Sequence, residues 1–356
     1  MSAKYQRGLL LIELMVGLFI GLLTTLAITQ VLSLAEGQRR AATSGGDAQV
    51  SGSVSLHTVQ RELRQAGYGL ADNLRGLGCL IQGSYGGNDV TMRLAPVQIT
   101  DGAGGAPDSI SILSSNRRGV SVPVLVTEDH LQDGTSFQVK GSFTVAVNDY
   151  LIAVPTVWDV TLKEWVWDGA KQCTLFKATA TTTTTIDHVN VSTYAPAAGF
   201  NANSYLLNLG SSLRLRTYAI NSNVLQMTEL GAANAQDIAP EIVNLQAYFG
   251  KDTNGDKIVD AYDTTAPTTS AGWQQIIAVR VALVSRSMEY EREEVTSSLP
   301  EWDVGAAITV SGAVDCASGS GGKCVQVKVD NLTNWKHYRY KVYDTLIPLR
   351  NMLWNS

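Results

Sequence analysis

The densest grouping of metal-type oxygens in the chain is DTNGDKIVDAYD, residues 252–263. Asp252, Asn254 and Asp256 offer side-chain oxygens at alternate positions. Ile258 offers a main-chain carbonyl, Asp260 a further carboxylate, and Asp263 stands in twelfth place. Hard oxygens at positions 1, 3, 5, 7, 9 and 12 of a loop are the pattern that wraps Ca2+. Two departures stand against it. The sixth position, ordinarily Gly, is Lys257, with Gly255 two places earlier, and the closing Glu is replaced by the shorter Asp263. The competing reading is an Asx-rich hairpin turn, because Asp and Asn side chains bond their own backbone two residues on. Both readings are open at this point.

Other chemistry is sparse. His57, His130, His188 and His337 show no metal-ligand spacing and lie in no nucleophile motif, so each reads as structural or exposed. There is no GxSxG, no Walker loop and no GxGxxG. A membrane-anchored envelope hydrolase would need a polar cluster in a cleft, and the sequence supplies no obvious one, so an enzyme is not expected. Glu289–Glu294 (EYEREE) reads as a solvated acidic loop, with an interaction patch as the alternative. The net charge of −5 over 356 residues speaks against general nucleic-acid binding, and no direct nucleic-acid site is evident.

Four cysteines, an even number, suit disulfides in an exported domain. Cys316 and Cys324 flank the flexible ASGSGGK and can close a small loop, which leaves Cys79 with Cys173. Four reduced thiols or a metal site are the alternatives, but no CxxC occurs.

One carboxylate is out of place. Glu13 sits inside the apolar run from Leu9 to Ala35, directly after the basic head MSAKYQRG. An acidic residue in a bilayer costs roughly 2.5–3.5 kcal/mol, less near the edge. A secretory signal peptide, with Ser33 and Ala35 as small cleavage-site residues, should have an apolar region of only about 7–15 residues. A plain anchor of about 20 residues would leave Glu13 reaching for the headgroups. Cleavage after Gly8 accounts for the charge better. Leu9 would then carry a new α-amino group, and a neighbouring subunit's Glu13 would pair with it, offsetting desolvation of both.

Gly8 followed by LLLIELMV resembles the leader junction of type IV prepilins, G-F-T-L-I-E-L-M-V. Gly8, Leu11, Ile12, Glu13, Leu14, Met15 and Val16 match; Leu9 replaces Phe and Leu10 replaces Thr. The resemblance implies that a prepilin peptidase cuts after Gly8 and N-methylates Leu9. Downstream, RELRQAGYG, RLRTYAIN, IVNLQAYFGKDTNGDKIVDAY, IIAVRVALVSRS and IPLRN recur in the order of the PilW group of large minor pilins. That resemblance implies an α+β, pilin-like fold: a long N-terminal helix packed on an antiparallel β-sheet, with inserted β structure. It further implies a subunit that primes pilus assembly near the filament tip, beside other minor pilins, the major pilin and a tip adhesin. Such a subunit waits in the inner membrane with a periplasmic domain before joining the extracellular pilus, which serves attachment, twitching motility and DNA uptake. A type II secretion pseudopilin is the alternative, and neighbouring genes would separate the two.

These residues must be positioned by a small set of elements. The expected units are a leader at 1–8, a membrane or filament-core half-helix at 9–35, an amphipathic half at 36–70 and a β-rich domain at 71–356. Leu56, Val59, Leu63, Ala66 and Leu70 recur at helical steps, Gly45 and Gly46 are able to loosen the helix, and Gly67 and Gly69 favour a cap. Alternating runs predict strands at 108–115, in SFQVKGSFTVAV, in DYLIAVP, at 212–221 with NVLQMTEL as hairpin partner, at 241–250, at 273–287 and in the tail. Thr181–Thr185 reads as an exposed strand or a loop.

Overall fold

The Leu-rich run and the helical spacing beyond it produce one continuous helix, Leu11–Leu63, of 53 residues, about 80 Å at 1.5 Å per residue. The structure is a computed structural model and describes residues 11–70, 76–117, 122–319 and 321–353. Gly45 and Gly46 lie inside the helix without ending it. The two halves differ in what they touch. Ile12–Gly37 is an apolar segment of 26 residues and mean hydropathy 2.0, none of it buried. Beyond it, Ala48, Gly52, Ser55, Val59 and Leu63 form one buried stripe at steps of three and four. Gly52 is needed there, because a Cβ would run into the Tyr343 ring.

The helix proper stops four residues before the expected Gly67. Gln65 and Ala66 N–H donate back to the Glu62 and Leu63 carbonyls at 3.0 and 3.1 Å, which tightens the last turn. Gly67, at φ 75°, and Gly69, at φ 77°, then turn the chain away. Gly67 N–H bonds the Leu113 carbonyl at 2.9 Å, so the helix end is tied to a strand.

The helix lies on two five-stranded sheets. One runs Thr309–Val310, Ala261–Asp263, Ile242–Lys251, Ile276–Arg286, Tyr340–Pro348; only its short outer pair is parallel. The other is antiparallel throughout, in the order Gln236–Pro240, Val224–Glu229, Leu213–Asn221, Ser109–Ser115, Val97–Thr100. Ile242–Lys251 and Ile276–Arg286 are buried almost along their whole length, as expected of strands covered on both faces.

Strands Ser109–Ser115 and Leu213–Asn221 pair directly, with Leu213 opposite Ser115. The chain between them forms the inserted β structure. It builds most of an eight-stranded sheet around Tyr150–Val154, Cys173–Thr181 and Tyr205–Gly210. It also has its own apolar cluster, in which Phe137, Phe176 and Phe200 meet. A third cluster, around Trp302 and Tyr248, lies under the three-stranded sheet of Glu301–Gly305, Lys323–Gln326 and Val314–Asp315. Both expected disulfides form, Cys79–Cys173 and Cys316–Cys324.

Three local expectations are corrected. In SFQVKGSFTVAV only Ser136–Gln138 is a strand. Residues 142–147 turn instead, with Val145 N–H on the Ser142 carbonyl at 2.8 Å. Trp273 does not open a strand. It sits in the short helix Ser270–Gln274, whose N-cap Thr269 accepts from Gly272 N–H, and the strand starts at Ile276. In the tail, the strand is confined to Tyr340–Pro348 and gives way to a helix, Arg350–Leu353. At 181–185 the chain makes a tight turn, Thr182 N–H to the Thr185 carbonyl at 3.0 Å.

Candidate functional site

Glu13 is the one charged residue between Ile12 and Ala35, and it is exposed. Around it stand Ile12, Leu14, Met15, Val16 and Phe19, each at least half exposed. A helix apolar all round is stable only when something else surrounds it, lipid or other helices. The three threonine hydroxyls in this half are turned inward. Thr24 Oγ1 donates to the Ile20 carbonyl at 2.9 Å, Thr25 to Gly21 at 2.8 Å and Thr29 to Leu26 at 2.9 Å. That hides their polarity against the helix's own backbone, and Glu13 carries the one charge between Ile12 and Ala35. Gly8 and Leu9 lie outside the described residues.

The second half of the helix is locked to the sheets. Arg216 Nη1 donates to Glu62 Oε2 at 3.0 Å and its Nε to Glu229 Oε2 at 3.1 Å. Glu62 is almost fully buried, so the pair is partly desolvated and breaking it would strand a charge. Gln60 Nε2 reaches Thr345 Oγ1 at 3.4 Å, and Asn351 Nδ2 donates to the Ala66 carbonyl at 2.9 Å. Every one of these partners outside the helix lies between residues 208 and 351. The exposed half is thus a lever whose base is fixed.

The Asp252–Asp263 loop is organised by hydrogen bonds. Asp252 accepts from Gly255 N–H at 2.6 Å, Lys257 N–H at 2.8 Å and Asn254 N–H at 3.2 Å. Asp256 accepts from Ile258 N–H at 2.8 Å, and Asp260 from Thr253 N–H and Oγ1, both at 2.7 Å. These bonds hold the Asp260 carboxyl below the usual carboxylate range. Lys257, in the place where Gly was expected, has φ 66°. Asp263 is turned elsewhere: its Oδ1 takes the Lys251 ammonium at 2.7 Å. Among the described residues three possible ligand side chains come together at Asp303, Cys316 and Cys324, where the cysteines are joined in a disulfide. As folded, the loop is a set of Asx turns, and Asp263 is paired with Lys251.

The acidic loop Glu289–Glu294 is tied back. Glu291 takes Arg339 at 2.6 Å, and Glu294 lies 3.5 Å from the Lys336 ammonium. Sequence reasoning missed one pair. His130 and His188, 58 residues apart, bury their rings together with Nε2 atoms 3.1 Å apart. No spacing rule points to such a contact.

Residues 208–351 match the family model described as Type IV Pilus-assembly protein W. A search of curated proteins found no match. Among solved structures, a type IV-like pilin from Thermus thermophilus aligns over 84% of this chain and 94% of its own, at 9% identity and a TM-score of 0.32. That score is too low to carry any argument, and the α+β architecture rests on the helix and strands described above. The segment that grips the long helix is therefore the segment, 208–351, that matches the model of the type IV pilus-assembly protein W family.

Proposed function

We propose that this chain is a minor subunit of a type IV pilus, structural rather than catalytic. A prepilin peptidase removes the leader after Gly8. The segment Ile12–Gly37 then holds the subunit in the inner membrane and later enters the filament core, where Glu13 pairs with the α-amino group of a neighbour's Leu9. The observation that carries this reading is a bare apolar helix of 26 residues, continuous with a half-helix seated on the family-matched strands. The inserted unit between Ser115 and Leu213 supports a place near the tip, with other minor pilins and an adhesin. A head enlarged in this way is easier to accommodate at a filament end, where the subunit would prime assembly, than in a shaft of closely spaced major pilins. A calcium ion at 252–263 would join this account only if Asp263 released Lys251.

Sheared pili analysed by mass spectrometry test the proposal. The subunit should be present at low abundance, with an N-terminal peptide that begins at methylated Leu9. Its absence from the pili, or an intact N-terminus at Met1, would overturn it.

A further inference from the structure

Where the inserted unit leaves the body and returns to it, a half-open cleft of about 1010 Å3 remains. Its walls come from separate elements. Arg64 follows the long helix, Asn116 and Arg117 follow strand Ser109–Ser115, Arg214 lies on Leu213–Asn221, and Arg350 begins the last helix. Among the described residues the one carboxylate in the lining, Asp149, is already engaged. Its Oδ2 accepts from Arg117 Nη1 at 2.7 Å, Asn208 Nδ2 at 2.8 Å and Ala146 N–H at 2.9 Å. Among the described residues Arg64, Arg214 and Arg350 form no ion pair. Among the described residues four guanidinium groups thus face one carboxylate, on a chain whose net charge is −5. Arg117 Nε and Asn116 Oδ1 are buried in the same wall without a hydrogen-bond partner among the described residues, and buried polar atoms left unpaired are costly.

We propose that this cleft receives an acidic peptide segment of a partner protein, with two or more carboxylates seated on Arg64, Arg214 and Arg350. Guanidinium forks match carboxylates two bonds at a time, and a recess lined by one sign of charge concentrates the opposite sign. The volume exceeds what one small anion needs, and the three arginines stand on three different elements, which suits a segment rather than an ion. Lipid headgroups are out of reach, because Arg64 stands about 40 Å along the helix from Gly37, the end of the apolar span. A nucleic-acid duplex is a convex rod with a charge every ~1.7 Å. It does not enter a recess, and the acidic chain repels it at long range. A peptide seated here would bridge the body and the inserted unit, at the kind of seam where ligands commonly bind.

The test uses the full chain in detergent at physiological ionic strength. A short labelled peptide of alternating Asp and Gly is titrated beside its Asn–Gly counterpart, inorganic phosphate and a single-stranded oligonucleotide. The acidic peptide should bind saturably and raise the melting temperature, and the Asn peptide should do neither. Arg64→Gln, Arg214→Gln and Arg350→Gln should each weaken binding severalfold, and the triple variant should abolish both binding and the thermal shift. Arg292→Gln, which removes the same charge from the exposed acidic loop, should change nothing. Melting of each variant without ligand checks that it folds. Equal binding by wild type and the triple variant would overturn the proposal, as would saturation by phosphate or the oligonucleotide where the acidic peptide fails.

Discussion

His130 Nε2 and His188 Nε2 lie 3.1 Å apart inside the aromatic cluster of the inserted unit, with the His130 ring stacked 3.8 Å from Phe137. His188 Nδ1 faces the Val189 carbonyl at 2.7 Å and must donate to it. Its Nε2 is therefore the acceptor, and His130 Nε2–H the donor. Both rings are neutral in this arrangement.

Burial pushes both imidazoles below their usual range, His130 to about 4, with the neighbouring His188 adding to its shift. Asp133 faces His130 and Asp187 faces His188, and each works weakly the other way. A folded-state pKa below the unfolded value of about 6.5 gives stability that is present in full above pH 6.5. That stability is lost as pH falls towards 4. For His130 the ceiling is roughly 3 kcal/mol. Chemical unfolding at pH 8, 6 and 4.5 should show this slope in wild type and a shallower one in His130→Phe/His188→Leu. Equal slopes would remove the pair from the acid response.

The two disulfides should differ in weight. Cys79–Cys173 spans 94 residues and Cys316–Cys324 spans 8. On loop-closure entropy the first should contribute about 4–5 kcal/mol and the second about 2–3 kcal/mol. Cys79 precedes strand Leu80–Tyr85 and Cys173 opens the strand beside it, so the long bridge also fixes the inserted unit to the body. Unfolding of Cys79→Ser/Cys173→Ser and of Cys316→Ser/Cys324→Ser should rank them in that order, and the reverse ranking would contradict it.

What could be read from the sequence was local. Val59, Leu63, Ala66 and Leu70 recur at helical steps and all four are buried. Gly67 and Gly69 marked where the chain turns away beyond the helix, because both take a positive φ that favours glycine. Four cysteines, two of them flanking a glycine-rich stretch, allowed one economical pairing. Three features were not legible. The histidine pair and the arginine cleft join residues far apart in the chain, and only the fold brings them together. The apolar alternation at 142–147 resembles a strand, yet the chain turns there, with Val145 N–H on the Ser142 carbonyl, and Phe143 stays 86% exposed. Asp263 stands twelfth in the loop by counting, but its pairing with Lys251 follows from strand pairing, which counting does not reveal.

In the 252–263 loop, Asp252→Ala leaves the N–H groups of Asn254, Gly255 and Lys257 without an acceptor. Stability should fall by about 1–3 kcal/mol, equally in chelator and in several millimolar calcium. Wild type should melt at the same temperature in both, because Asp263 is held by Lys251. A calcium-dependent rise in wild type that disappears in Asp252→Ala/Asp256→Ala would establish an ion site, since a ligand of the native state stabilises by mass action.

The central claim is that Glu13 serves assembly rather than anchoring, and one measurement addresses it directly. Wild type and Glu13→Ala are quantified in the inner membrane and in sheared pili of the same cells. The variant should reach the membrane at wild-type level or above, because a carboxylate that costs roughly 2.5–3.5 kcal/mol on insertion is gone. In the pili it should be about tenfold depleted or more, through loss of the partner for a neighbour's terminal amine. Equal incorporation of the two forms would contradict the account.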